Sequence, residues 1–210
     1  VHHIFVELIS ANKRVAVANP LFFDGETYRF DFEQLERVIT EKTRILLLCN
    51  PHNPVGRVWS IEELSRLHDI CSRHGIRVIS DEIYNGLLYG GVRFTPMAAV
   101  SASASLNTVT LLSASKTFNL TGLKHSLIVT ESEAIRQRVA EEQRRSNMYY
   151  GGSIFGQVAT ETAFRECDLW RSELMEHVSA NFECLYEFFG KHFPDLYVCR
   201  PESTYFAWID

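Results

Sequence analysis

Four short, mostly apolar segments divide the first 130 residues of the chain, at residues 44–49, 76–80, 108–112 and 125–130. Apolar runs of this length without alternation are typical of strands that are buried on both faces of a sheet. Between the first two segments, Ser60 and Glu63 form an S-x-x-E capping box, which predicts a helix ending near His74, before Gly75. Strand, helix and strand joined by short links predict parallel β/α units.

The segments that precede these strands carry weaker patterns. Helical spacing of apolar residues predicts a short amphipathic helix over residues 4–10, and alternation predicts a strand over residues 14–18. Asp24 and Gly25 indicate a turn, and residues 30–32 are consistent with another short extended piece. Asp31 is predicted to cap a helix over residues 32–39.

After residue 130 the pattern becomes helical, over residues 133–145, 153–164 and 168–189. Residues 197–200 and 205–209 are predicted to form paired strands of a smaller unit. We therefore expect an α/β domain over residues 1–168, with a mostly parallel central sheet flanked by helices. Residues 169–210 would begin a smaller α+β domain. The chain starts without methionine and stops in an apparent strand, so we expect a fragment lacking both ends.

Composition narrows the classes of function. The 210 residues are 46% apolar, enough for a sizeable core, and the net charge of −5 predicts no general attraction to nucleic acid or anionic membranes. The apolar runs are too short to span a bilayer. Five separated cysteines without a C-x-x-C pair indicate neither a disulfide framework nor a metal site. This usage suits a reducing, cytoplasmic location, and Cys49 and Cys71 are expected to be small core residues.

Polar side chains follow three of the predicted strands in succession. In parallel sheets, ligands bind beyond the carboxyl ends of the strands. The residues at these ends are Asn53 after the first strand, Asp81 and Tyr84 after the second, and Ser113, Ser115 and Lys116 after the third. The sequence therefore predicts a binding site at this edge of the sheet.

Lys116 is the most distinctive of these residues. Burial of its cation would be costly, and desolvation favours the neutral amine that attacks carbonyl groups in Schiff-base chemistry. On position alone, a surface lysine just past a strand end is an equally good interpretation. Asp81 is also compatible with a helix cap, and Asn53 with a turn. We expect His52, in the loop that carries Asn53, to be exposed.

Three motifs occur in order along the sequence: N-P-x-N-P-x-G at residues 50–56, D-E-I-Y at residues 81–84, and S-x-S-K-T-F-N-x-x-G-L-K at residues 113–124. Together they resemble the motifs of the fold-type I pyridoxal-phosphate enzymes, the aspartate aminotransferase superfamily of class I and II. Residues 78–83 and 150–153, and the opening from residue 19 to residue 36, look closest to the branch of cystathionine β-lyases and related C–S lyases.

The resemblance implies roles for the residues at the strand ends, with pyridoxal 5′-phosphate as the cofactor. Lys116 would form a Schiff base with its aldehyde and then act as acid and base at the substrate α-carbon. Asp81 would face the pyridine nitrogen and keep it protonated, and Asn53 and Tyr84 would bind the phenolic oxygen. The candidates for binding the phosphate are Ser113, Ser115 and Lys124. Many relatives have arginine at the position of Lys124, and lysine lacks its bidentate fork.

The function itself stays open among three interpretations. The branch favours a C–S β-lyase that acts on cystathionine or cysteine conjugates, with aminotransferase as the alternative and a catalytically incomplete fragment or scaffold as a third. The resemblance also implies a homodimer with shared active sites, to which residues 149–153 would contribute. In this superfamily the glycine-rich phosphate loop and the ring-stacking aromatic lie upstream of residue 1, and the arginine for the substrate carboxylate lies downstream of residue 210.

An S-x-x-K motif at Ser113 and Lys116 also matches the nucleophile motif of penicillin-binding serine enzymes. In that interpretation Ser113 would be the nucleophile and Lys116 its base. Those enzymes also need S-D-N and K-T-G motifs, which are absent from the sequence. The pyridoxal-phosphate interpretation is therefore favoured.

Overall fold

The computed structural model describes residues 3–148 and 153–210 and has a four-stranded sheet at its centre, flanked by helices. The strands are β1 (Phe22–Phe23), β2 (Tyr28–Arg29), β3 (Ile45–Cys49), β4 (Arg77–Asp81), β5 (Thr108–Leu112) and β6 (Leu127–Val129). The helices are α1 (Ile4–Ala11), α2 (Phe32–Val38), α3 (Ile61–Arg73), α4 (Ala102–Asn107), α5 (Ala114–Thr117), α6 (Glu133–Arg145), α7 (Ile154–Glu166) and α8 (Asp168–His192). None of the helices in the described residues has the length and apolar character needed to cross a membrane.

The central sheet has the order β3-β4-β5-β6 and is mostly parallel, as predicted. β3, β4 and β5 run parallel, whereas β6 pairs with β5 in the antiparallel direction. Two neighbouring parallel strands need a long crossover connection, usually a helix, because the chain must return to the end of the sheet at which the first strand began. Between β5 and β6 lie only the four-residue α5 and a three-residue 3-10 helix, Thr121–Leu123, so the chain turns back directly.

The main core lies between α3 and the β3–β4 pair. One face of α3 buries Leu64, Leu67, Ile70 and Cys71, which recur at helical spacing and pack with Trp59 and other buried residues. The predicted capping box is present, because Ser60 Oγ accepts from Glu63 N and the Glu63 side chain accepts from Ser60 N. The helix ends one residue before His74, and the chain leaves it through Gly75 at φ 63°.

Two predictions for the opening segment are wrong. Residues 14–18 form no strand, and Val15 and Val17 are exposed. Alternation specifies a strand only where one face is covered, and the described residues cover neither face here. The extended piece expected at residues 30–32 lies earlier, at β2, since Asp31 already caps α2 by accepting a hydrogen bond from Gln34 N.

The end of the chain folds back on itself without forming a named strand. Tyr197 and Asp210 exchange backbone hydrogen bonds of 3.0 and 2.9 Å, and Val198 and Ile209 form an isolated antiparallel bridge. The pairing that the sequence predicts is therefore present, over a shorter stretch than expected. The division of the chain at residues 168 and 169 stays a prediction.

Candidate functional site

Lys116 lies in α5, directly beyond the carboxyl end of β5. Ser113 starts this helix as its N-cap, with Oγ accepting from Ser115 N at 3.1 Å. The same hydroxyl lies 2.7 Å from the carbonyl oxygen of His125, to which it donates. Ala114 and Thr117 on the same helix are buried, and Lys116 itself is half-buried. The helix is thus anchored on both sides of the lysine.

Asp81 ends β4, one strand away from β5. Its register partners are Cys49 on β3 and Leu111 on β5, so the three parallel strands end at one edge. One carboxylate oxygen accepts from Ile83 N at 3.3 Å, which shapes the turn that follows the strand. The helix cap considered for Asp81 is not formed, because a turn and not a helix follows β4 over residues 83–86.

Asn53 and Tyr84 meet at the same edge, as their roles on one oxygen require. Asn53 Nδ2 lies 3.4 Å from Tyr84 Oη, to which it donates. Tyr84 is buried. Burial is the main cause that raises the pKa of its phenol well above the ordinary range, and the neighbouring Tyr205 hydroxyl is the second. The Tyr84 hydroxyl is thus held protonated, as a hydrogen-bond donor.

The turn after β4 packs directly on the helix that carries the lysine. A Cβ added to Gly86 would lie 2.6 Å from both Oγ1 and Cγ2 of Thr117. Thr117 Oγ1 is buried and has no hydrogen-bond partner among the described residues. This close approach fixes the 81–86 turn against α5, which brings the predicted residues of two strands together.

The three residues predicted to bind phosphate are less closely grouped. Ser113 Oγ lies 2.8 Å from Ser115 Oγ and is already committed to the His125 carbonyl, so its hydroxyl has a structural partner. Lys124 is exposed and adopts φ 51° at the end of the short 3-10 helix. A phosphate-binding role for Ser113, Ser115 and Lys124 stays a prediction.

His52 is buried, so the prediction of an exposed loop histidine is wrong. Its backbone N–H donates to the Arg57 carbonyl at 2.7 Å, and its carbonyl accepts from Gly56 N at 2.8 Å, which closes the loop around the ring. The ring meets Trp59 edge-on at 5.8 Å. Burial lowers the pKa of His52 to about 3, so the imidazole is neutral at physiological pH.

Glu82 is a buried carboxyl next to the site that sequence reasoning missed. It is 1% exposed, and Oε1 accepts from Ser80 Oγ at 2.8 Å and from Met97 N at 3.0 Å. Burial raises the pKa of Glu82 to about 7. The burial of Glu82 could have been inferred from its position directly after a buried strand, because successive residues point to opposite faces and Glu82 therefore faces away from Asp81.

Glu82 predicts a pH-dependent stability. Folding raises the pKa of this carboxyl from 4.5 to about 7, because the folded state favours its neutral form. The free energy of unfolding therefore falls as the pH rises from about 4.5 to about 7. Glu82→Gln keeps the acceptor but not the titration. We expect its unfolding free energy, relative to the parent protein, to rise by about 1–3 kcal/mol from about pH 5 to about pH 8.

Urea denaturation at several pH values measures this difference. The exposed Glu166→Gln on α7 controls for the loss of a surface carboxylate. Parallel pH profiles for the parent protein and Glu82→Gln would show that Glu82 titrates alike in the folded and unfolded states.

Comparison with known proteins identifies the family. The model of the family described as aminotransferase class I and II matches residues 2–210. The chain belongs to this family. Membership confirms the resemblance inferred from the three motifs, and the chain is 33% identical over 208 residues to cystathionine β-lyase PatB of Bacillus subtilis, covering 98% of this chain and 53% of PatB.

Solved structures of similar proteins confirm the fold class. Cystalysin from Treponema denticola, which contains pyridoxal 5′-phosphate, superposes with a TM-score of 0.95 at 30% identity, over 100% of this chain and 53% of that one. A pyridoxal-phosphate-bound C–S lyase from Staphylococcus hominis gives 0.90 at 31% identity, over 98% and 51% of the two chains. The chain thus spans about half the length of the relatives that it matches.

Proposed function

We propose that this chain supplies the cofactor-holding part of a pyridoxal-phosphate-dependent C–S β-lyase. Its substrates would be cystathionine or cysteine conjugates, and its products pyruvate, ammonia and a thiol. The observation that carries the proposal is the meeting of Asn53 Nδ2 and Tyr84 Oη, 3.4 Å apart, at the edge where the strands before Asp81 and Lys116 also end. The names of similar proteins favour a lyase over an aminotransferase.

The described residues fit pyridoxal phosphate in their chemistry. Lys116 would hold it covalently through the side-chain amine, and Asp81 offers a carboxylate for a protonated ring nitrogen. Asn53 and Tyr84 offer two converging N–H and O–H groups for one phenolic oxygen, which suits an anion. Ser113, Ser115 and Lys124 remain the candidates for the phosphate, since they follow the same strand.

When bound, pyridoxal phosphate supplies an electron sink that stabilises negative charge at the α-carbon of an amino acid. The amino group of the substrate would displace Lys116 Nζ, which as a free amine would take the proton from that carbon. The electron pair of the Cα–H bond would form a double bond to Cβ, and the Cβ–S bond would break with its pair on sulfur. Lys116 would return its proton to the leaving thiolate. The remaining three-carbon unit takes up water to give pyruvate and ammonia, so no oxidant or reductant is needed.

An aminotransferase is the second candidate, because the family model carries that description. It would use the same residues. Lys116 would deliver the proton to the cofactor and not to sulfur, and a 2-oxo acid would accept the amino group. We also propose that the full-length protein is a homodimer that acts on small amino acids. Residues 149–152, expected to reach the partner's site, lie outside the described residues, and Ser153 caps α7.

Supplying cystathionine to the full-length protein separates the two reactions. We expect pyruvate and free thiol to appear in equal amounts when no 2-oxo acid has been added. Adding 2-oxoglutarate should leave this rate unchanged. Turnover that requires 2-oxoglutarate and releases no thiol would contradict the lyase and support the aminotransferase.

A further inference from the structure

Residues 120–125 lie between α5 and β6 and include Lys124; we call them the Lys124 turn. Ser113 Oγ, at the N-cap of α5, donates to the His125 carbonyl oxygen at 2.7 Å, so the residue that follows Lys124 is fixed there. At the other end of the turn, the first backbone N–H donates to the Ser115 carbonyl oxygen at 2.9 Å. Both ends of the turn are therefore bonded to α5 or to its N-cap.

The backbone of Lys124 depends on these contacts. It has φ 51° and ψ 46°, a left-handed conformation that residues with a side chain rarely adopt. Such a conformation persists only where the surrounding structure maintains it. The side chain is exposed, and among residues 3–148 and 153–210 its amine has no ion-pair or hydrogen-bond partner. The direction of this free cation is therefore set by what holds the turn.

Helix α7 supports the turn through His125. His125 Nδ1 is hydrogen-bonded to Thr160 Oγ1 at 2.9 Å, and Thr160 is buried. A Cβ added to Gly156, one turn earlier on α7, would lie 2.8 Å from His125 Cβ and 3.0 Å from the Leu123 carbonyl oxygen, so the helix backbone packs directly on the turn. The same helix packs against α5 through the buried Ala163. Helix α7 therefore fixes the Lys124 turn relative to α5.

We propose that His125 is a positioning residue for the cofactor's phosphate, because its ring and its carbonyl oxygen hold Lys124 beside Ser113. The inference rests on the proposed function, since it assumes that Lys124 is the cation that binds this phosphate. A lysine ammonium is a point charge on a flexible stem, without the planar fork of arginine, so its contribution depends on how the stem is directed. Without the bond to Thr160, the turn loses one support and Lys124 loses its orientation.

Pyridoxal has the same aldehyde and ring as pyridoxal phosphate but no phosphate, so it isolates this contribution. In the full-length protein, the ratio of the dissociation constants of pyridoxal and pyridoxal phosphate measures the preference for the phosphate. Thr160→Val removes the hydroxyl and keeps the branched shape of the side chain. We expect it to lower this preference roughly fivefold, which corresponds to one ordinary hydrogen bond. Binding of pyridoxal should be nearly unchanged.

Four further variants make the test specific. Thr160→Ser keeps the hydroxyl, and Thr162→Val removes an exposed hydroxyl from the same helix, so both should retain the parent preference. His125→Ala removes the other partner of the bond and should reproduce the effect of Thr160→Val, which keeps the test valid if one variant does not fold. If His125 acts through Lys124, the double variant Thr160→Val/Lys124→Gln should match Lys124→Gln alone.

The two ligands also separate a structural role from a positioning role. Equal weakening of both ligands in Thr160→Val would mean that the bond supports the fold and not the phosphate, and it would overturn the inference. An unchanged preference, or additive effects in the double variant, would overturn it as well. A parent protein that binds both ligands equally well would overturn this inference and leave the proposed function intact. A parent protein that binds neither would overturn both.

Discussion

Replacing Lys116 with alanine in the full-length protein is expected to lower the rate of thiol release from cystathionine by at least ~10⁴-fold, since covalent and acid–base catalysis are lost together. The fold should survive the change. Lys116 is half-buried in a helix that is anchored by Ser113 and Thr117, and alanine is a good helix former. The loss would therefore arise from chemistry rather than from unfolding. Steady-state kinetics and urea denaturation of the same preparation measure both quantities.

Lys42→Ala is the matched control for this variant. Lys42 is exposed in the turn after α2, and removing it deletes the same charge and chain length away from the site. Its rate should equal that of the parent protein. A Lys116→Ala variant that keeps more than about a tenth of the parent rate would exclude Lys116 from the chemical step.

Gly56→Ala is expected to lower the unfolding free energy by more than about 3 kcal/mol, because conformational strain and a backbone collision act together. Gly56 has φ 74°, which side-chain-bearing residues rarely adopt. A Cβ there would lie 2.8 Å from the Ser203 carbonyl oxygen and 2.9 Å from Pro201 Cα, and these backbone atoms move only if residues 201–206 are displaced. Urea denaturation measures the loss.

Gly75→Ala separates the two causes. Gly75 has φ 63°, and its added Cβ would meet nothing within 4 Å, so only the conformational cost of about 1 kcal/mol applies. The difference between the two variants reports the collision at Gly56. Equal losses would mean that residues 201–206 yield easily and do not constrain the loop that carries Asn53.

Local patterns were sufficient to predict the parallel half of the sheet. β5 matches its predicted bounds because five apolar or β-branched residues are bounded by Asn107 and Ser113, and α3 is bounded by a capping box and a glycine. The direction of β6 depends on how the chain packs after α5, which no local pattern encodes. The strand expected at residues 14–18 failed for a similar reason, since alternation does not tell whether any element covers one face.

The position of the candidate site residues could be predicted from the sequence where they lie at strand ends. The prediction failed where a residue's state depends on its burial. Lys116, Asp81, Asn53 and Tyr84 follow predicted strands, so topology alone places them at one edge. His52 was misjudged because its burial depends on Trp59 and on the closure of the loop. His125 was missed because its ring reaches Thr160 only through long-range packing of α7.

Mapping the covalent attachment of pyridoxal phosphate tests the central claim most directly. The full-length protein is incubated with the cofactor, reduced with borohydride, digested and analysed by mass spectrometry. We predict one stable pyridoxyl group per chain, on the peptide that contains Lys116, and none there in the Lys116→Ala variant. Attachment to a different lysine, or cofactor binding that leaves no reduced adduct on Lys116, would contradict the account.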